Sequence, residues 1–225
     1  MPSRRTVVVT GANGALGRAV AAAAEASGAA VARIDVAALP EVASGLNFGG
    51  VDLADFAAVQ NTMAQIKSRA GGVDALINIA GGFKWQTLAE GDLDVWDALY
   101  RLNLKTAATA CKAALPFLLE SPSARIVNIG AFGATKAAAG MGAYAASKAG
   151  VAKLTEGLAE ELKGRVAVNA VLPSIIDTPA NRADMPNADF SKWVAPSELA
   201  AVILFLASPE ASAVTGALVP VVGRV

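Results

Sequence analysis

Tyr144 and Lys148 stand four residues apart in Tyr144-Ala-Ala-Ser-Lys148, so on a helix they share one face, one turn apart. A phenol with a pKa near 10 is a poor proton donor or acceptor at neutral pH. A neighbouring ammonium favours the phenolate and lowers that value. Tyr144 would then protonate the atom left negative by hydride arrival, and Lys148 could hold the nicotinamide ribose hydroxyls. A second cluster, Gly11-Ala12-Asn13-Gly14-Ala15-Leu16-Gly17, follows Val7-Val8-Val9-Thr10. Glycine there permits a tight turn and close backbone approach, and the helix start offers N–H groups to a pyrophosphate. The chain has no histidine, which excludes histidine-based hydrolysis and histidine-ligated metals. Its one cysteine, Cys111, excludes an intrachain disulfide and a thiolate cluster. The expected chemistry is nucleotide-dependent redox, with no metal.

These groups need a scaffold that brings strand ends together. Short β-rich runs at Thr6–Thr10, Ala30–Ile34, Ala75–Ala80, Arg125–Ile129, Val166–Val171 and Leu218–Val222, with a weaker one at Asn47–Val51, alternate with alanine-rich helical patterns. Phe56, Val59, Met63 and Ile66 repeat at helical spacing, as do Val151, Leu154, Leu158 and Leu162. A further helix is expected from Ser197. The strands are apolar on both faces, as in a parallel sheet covered by helices. The expected fold is α/β: one doubly wound, Rossmann-type domain over residues 1–225, with a mostly parallel sheet and helices on both faces. The stretch from Pro173 to about residue 195 lacks clear periodicity and follows a strand. It is expected over the carboxyl ends of the sheet as a substrate-covering loop, the alternative being a surface loop with only a packing role.

Asp35 ends the second strand. Its carboxylate could accept the adenosine ribose hydroxyls and repel a 2′-phosphate, favouring NAD(H) over NADP(H), or it could be an ordinary turn aspartate. Arg33, two residues earlier, could soften that discrimination. Asp52 and Leu53 follow the weak strand, where a side chain could meet the adenine edge. After the fourth strand, Ala80, Gly81 and Gly82 let the backbone pass beside the cofactor, and Asn78 is either a ligand contact or a structural hydrogen-bonding residue.

Lys plus Arg and Asp plus Glu both total 19, so no basic field attracts nucleic acid or a membrane surface. Hydrophobic residues make up 54% of the chain, enough for a substantial core. No apolar run reaches bilayer-spanning length, and the start at Met1-Pro-Ser-Arg-Arg lacks signal-peptide features. A cytoplasmic protein is expected. The alanine-rich helices around Asp94–Leu119 and Ala143–Leu162 permit close helix contact, from which a homodimer, or a homotetramer of such dimers, is expected.

On these motifs the chain resembles the short-chain dehydrogenase/reductase family over nearly its whole length. The resemblance implies the roles given to Tyr144 and Lys148, and adds Asn103, in Leu102-Asn-Leu-Lys105, as organiser of a water relay near Lys148. It also implies that Pro173, Ile176 and Thr178 form the nicotinamide side, with Thr178 holding the carboxamide or, alternatively, capping a turn. Two departures stand out. Serine is usual 13 residues before the tyrosine, where this chain has Ala131, and glycine is usual after the proline, where it has Ser174. Alanine in place of that serine, the Gly-Ala-Leu-Gly turn, Ala80-Gly81-Gly82 before the aromatic Phe83, and the stretch Asp177–Trp193 through Met185 resemble the dihydropteridine reductase branch. That likeness implies a planar conjugated acceptor such as a quinonoid dihydropterin, reduced by NADH. Phe83 and Trp85 would stack on it, with Ala131 and Met185 lining the site, or either aromatic could be simple hydrophobic cover. The alternatives are a broader carbonyl or alcohol oxidoreductase and a catalytically silent nucleotide-binding protein.

Overall fold

A computed structural model describes residues 4–42 and 46–224. Met1–Ser3, on which part of the reading of the chain start rests, lie outside the described residues, as do Ala43–Gly45 and Val225 at the end of the expected domain.

Seven strands, β1 (Thr6–Thr10), β2 (Ala30–Ile34), β3 (Asn47–Phe48), β4 (Ala75–Asn78), β5 (Ala124–Ile129), β6 (Val166–Pro173) and β7 (Leu218–Val221), form one sheet in the order β3-β2-β1-β4-β5-β6-β7. Every pairing is parallel. Helices α1 (Ala15–Ala26) and α7 (Pro196–Ala207) cover one face, where Val20, Leu199 and Ile203 pack on Val9 and Ile77. Helices α2 (Phe56–Ala70), α4 (Thr106–Leu118) and α5 (Gly142–Glu161) cover the other, where Met63, Ile66 and Leu118 meet Val8, Leu76 and Ile126. This is the expected single Rossmann-type domain. Burial on both faces explains why the strand interiors lack polar alternation. The chain winds outward from β1 in one direction and from β4 in the other, so β1 and β4 flank the switch point where ligands bind in open α/β sheets.

Local sequence sets several boundaries. Asp55 opens α2, its carboxylate accepting the N–H groups of Ala57 and Ala58, and Gly71 closes it at φ 85°. Pro196 starts α7 one residue before the expected position, since proline at the first helical position gives up only an N–H that has no intrahelical partner. The fourth strand ends at Asn78, two residues short of the expected Ala80, and the weak third strand keeps only Asn47–Phe48 of Asn47–Val51.

The expected continuous helix Asp94–Leu119 is three pieces: α3 (Asp94–Leu99), a π-helical segment (Tyr100–Lys105), then α4. A π insertion rotates the side chains within it off the α-helical register and often marks a functional site. Hydrophobic spacing in the sequence does not report it, because the flanking turns keep helical periodicity.

The carboxyl end of α7 is capped from the amino ends of β5 and β1. Arg125, 6% exposed, donates to the carbonyls of Ser208 (3.0 Å), Pro209 (3.3 Å) and Ala124 (2.8 Å), and Arg5 donates to Ala207 O at 3.0 Å. A cation suits the negative end of the helix dipole. Arg125→Met would leave these carbonyls short of donors. The expected loss is roughly 2–3 kcal/mol of stability, read as a lower urea midpoint at unchanged m-value.

Candidate active site

The glycine turn follows from steric limits. Gly11 has φ 63°, and a Cβ there would lie 2.7 Å from Ala80 N. A Cβ on Gly17 would drive into Gly11 O, with Ala12 Cα at 2.8 Å. These absent side chains let the turn lie directly against the end of β4. Thr10, which the sequence reading left without a role, holds that contact: its hydroxyl accepts the N–H groups of Ile79 (3.1 Å) and Ala80 (3.3 Å). Its signal is a hydroxyl that closes the strand directly before the glycine turn. Gly14 caps α1 with no side-chain hydrogen bond, so the first N–H groups of the helix face the turn, as an anionic pyrophosphate requires. Asn13 and Ala15 flank Gly14 within the turn. The Leu16 side chain is buried among α1 and α7.

Asp35 lies just past β2. Its carboxylate accepts the N–H of Asn13 at 2.8 Å and that of Ala37 at 2.9 Å, tying the glycine turn to the end of the second strand. Arg33 is turned to Glu25, 2.7 Å away. Asp52 makes a local turn with Ala54 N (2.8 Å) and an ion pair with Arg101 (2.6 Å), which together with that turn hold its carboxyl below the usual range. The Leu53 side chain is buried in the core beside α2.

Tyr144 and Lys148 lie one turn apart on α5, as expected. Lys148 is 6% exposed, and its Nζ donates to Ile129 O, at the end of β5, at 2.8 Å. That is its one acceptor among the described residues, which leaves two N–H donors for a ligand. A Cβ on Gly81 would come within 3.2 Å of this Nζ and 2.6 Å of Asn103 Oδ1, so the bare backbone keeps the ammonium reachable. Burial drops Lys148 from 10.5 to about 8 and pushes Tyr144 from 10.0 up to about 12. The expected lowering of Tyr144 by its lysine neighbour is therefore overturned: removal of the phenol from water sets the direction of its shift.

Asn103 is 1% exposed, on the π-helical segment. Its Oδ1 accepts Gly82 N at 2.8 Å, and its Nδ2 donates to Gly82 O (3.1 Å) and Ser147 Oγ (2.9 Å). Ser147 in turn donates to Tyr144 O at 2.7 Å. The amide thus fastens the Gly81–Gly82 backbone to α5. Asn78 makes structural bonds, donating to Asn128 Oδ1 at 2.9 Å, while Asn128 reaches Thr155 at 2.9 Å.

Above the pair, the Phe83 ring meets Tyr144 edge-on at 4.9 Å and is 55% exposed. Trp85, 58% exposed, donates its indole N–H to Ala139 O at 3.0 Å and lies against Gly140. Ala131 is buried at the end of β5 and offers a methyl where the family usually has a hydroxyl. Pro173 ends β6, and the following excursion is partly regular. It contains α6 (Pro179–Asp184) and a 3-10 turn at Phe190–Lys192, and its neck is closed by a bridge between Ile176 and Val194. Thr178 caps α6, accepting Asn181 N at 3.2 Å, and Met185 ends that helix with its side chain exposed. Proline, asparagine and aspartate masked this structure in the sequence, because short capped turns leave no periodic trace.

The structure thus gathers the glycine turn, Asp35, Gly81, Tyr144 and Lys148 at the carboxyl ends of β1, β2, β4 and β5. Glycines whose Cβ would collide and a buried lysine with two unused donors fit a dinucleotide. Among the described residues no group of histidine, cysteine, aspartate and glutamate side chains could hold a metal, and no helix is long and apolar enough to cross a membrane.

Comparison with known proteins agrees. The short chain dehydrogenase family model matches residues 5–189. A 3-oxoacyl-(acyl-carrier-protein) reductase of Vibrio harveyi is 31% identical, covering 94% of this chain and 93% of the relative. A D-threitol dehydrogenase of Mycolicibacterium smegmatis is 33% identical over 95% and 89%. The ligand-free aldohexose dehydrogenase of Thermoplasma acidophilum superposes with a TM-score of 0.90 at 26% identity, covering 99% of this chain and 94% of that one. None of these three is a dihydropteridine reductase, so they support the broad family and not that branch. The chain belongs to the short-chain dehydrogenase/reductase family and is an NAD(P)-dependent oxidoreductase.

Proposed function

We propose that this enzyme transfers a hydride between a nicotinamide cofactor and a small carbonyl or alcohol substrate, with Tyr144 as proton donor and Lys148 as ribose ligand. The observation that carries this reading is the Tyr144–Lys148 pair beside Gly81, at the mouth framed by Phe83. The names of the relatives, which concern oxoacyl, polyol and sugar compounds, favour it over a silent nucleotide-binding protein. When bound, the cofactor supplies the hydride. Lys148 would hold its ribose through the two remaining N–H donors, Asn103 keeps the Gly81–Gly82 backbone in place, and Tyr144 keeps its proton available at Oη. Asp35 favours NADH, because a 2′-phosphate beside its carboxylate would be repelled and Arg33 is tied to Glu25.

A second reading, a planar conjugated acceptor such as a quinonoid dihydropterin, is favoured by two observations. Ala131 gives no hydroxyl to polarise a ketone, and Phe83 offers an exposed aromatic face beside Tyr144. Stacking, with ring centroids about 4.5–7 Å apart, suits such an acceptor. The excursion from Pro173 to residue 195 would cover the acceptor. Tyr100 and Leu102, exposed on the π-helical segment, support assembly as a homodimer or homotetramer through these helices.

The test is NADH and NADPH oxidation with small ketones, oxoacyl thioesters and enzymatically regenerated quinonoid dihydropterin, in the wild type and Ala131→Ser. Ketone turnover in the wild type supports the carbonyl reading. Pterin turnover, with ketone activity appearing only in Ala131→Ser, moves the assignment to the planar acceptor. NADH binding without turnover of any of them would overturn both.

A further inference from the structure

Residues at and just after the end of β7 touch both limbs of the excursion that leaves β6 at Pro173 and returns at Val194. On the outgoing limb, Ser174 N donates to Val221 O at 3.2 Å, and Ser174 Oγ donates to Val222 O at 2.8 Å. This is the position where the family usually carries glycine, and the hydroxyl has a use that glycine could not serve. On the return limb, Arg224 N donates to Lys192 O at 3.0 Å. Gly223 adopts φ 65°, and a Cβ there would lie 2.8 Å from Lys192 O and 3.1 Å from Val194 Cγ2. Only glycine takes this backbone shape at this contact without strain. Glu198 completes the junction: one carboxylate oxygen accepts Ala195 N at 2.9 Å and the other meets Arg224 Nη2 at 2.7 Å. The limbs also bond to each other, Asp177 N to Val194 O (2.8 Å) and Val194 N to Ile175 O (3.0 Å).

We infer that Val221–Arg224 is a clamp that positions the 173–195 excursion, with Ser174 and Gly223 as its two positioning residues. Its effect on the reaction rests on the reading that this excursion covers the acceptor. The clamp bonds the neck and makes no hydrogen bond to Tyr144 or Lys148, so it acts through the excursion, which carries Ile176 and Thr178 as well as the cover over the acceptor. The exposed Arg224–Glu198 pair adds little by itself. The backbone bonds and the hydroxyl bond carry the device.

The experiment uses the full chain with Gly223→Ala, Ser174→Ala and Ser174→Thr. One readout is tryptic cleavage after Arg182 and Lys192 under native conditions, alongside urea unfolding. The other is KM for the acceptor, kcat and NADH affinity. Cleavage should speed up in Gly223→Ala and Ser174→Ala and return toward wild type in Ser174→Thr, which restores the hydroxyl. Acceptor KM should rise about fivefold with kcat within about twofold, and any loss of NADH affinity reports the accompanying shift of Ile176 and Thr178. Unchanged cleavage in both Gly223→Ala and Ser174→Ala overturns the clamp. Faster cleavage at unchanged KM keeps the clamp and overturns the reading that the excursion covers the acceptor. If Gly223→Ala fails to fold, the Ser174 pair decides: cleavage that Ser174→Thr does not restore counts against the clamp.

Discussion

Tyr144→Phe should lower kcat by about 10²- to 10⁴-fold, the range expected when a positioned general acid is removed. NADH affinity should stay within about twofold. The variant keeps the ring and its edge-on contact with Phe83. Among the described residues no side chain or backbone group hydrogen-bonds the phenol, so folding stability should move by less than about 0.5 kcal/mol. The loss therefore reads the proton and not the fold. With its pKa pushed up to about 12, Tyr144 carries its proton throughout the neutral range, as the reductive direction needs. Kinetics with each active acceptor, NADH titration and thermal melting check this. An equal loss in stability or NADH affinity would assign Tyr144 a structural role instead.

Lys148→Met is expected to have opposite effects on activity and stability. Activity should fall by at least about 10²-fold, because the buried ammonium and the ribose contacts proposed for it disappear. Stability of the cofactor-free protein at pH 7 should rise by about 1–2 kcal/mol. Burial lowers Lys148 from 10.5 to about 8. At pH 7 the lysine is charged in both states, so the full burial penalty, about 3 kcal/mol, weighs on the folded form. The lost bond to Ile129 O returns about 1 kcal/mol of that. Between pH 8 and 10.5 the unfolded chain binds more protons than the folded one, so wild-type stability gains a rising component with pH that the variant lacks. Urea unfolding of both proteins from pH 7 to 10 measures the difference. Parallel curves would show that the lysine is not buried as a cation. In the free enzyme, kcat/KM for reduction should likewise fall above pH 8, as the ammonium is lost.

The amino-acid sequence by itself determined the order of strands and helices, the glycine turn and the pairing of Tyr144 with Lys148. Each is a local property: apolar runs, residues that must lack a Cβ, and a spacing of four on one helix. Sequence also located the excursion from Pro173 to residue 195, without its internal order, because α6 and the turn at Phe190–Lys192 are too short for periodicity to register. Only the tertiary structure decided the sign of the Tyr144 shift, since burial depends on what packs above the ring and sequence neighbours do not report it. It alone resolved the π-helical segment that turns Asn103 toward Gly82, and the bond from Asn13 N to Asp35 that ties the glycine turn to the end of β2. It also decided why serine stands at position 174, whose hydroxyl finds Val222 O from the far end of the chain. Contacts between residues 48 apart in sequence depend on the register and order of the strands, and no local pattern carries that information.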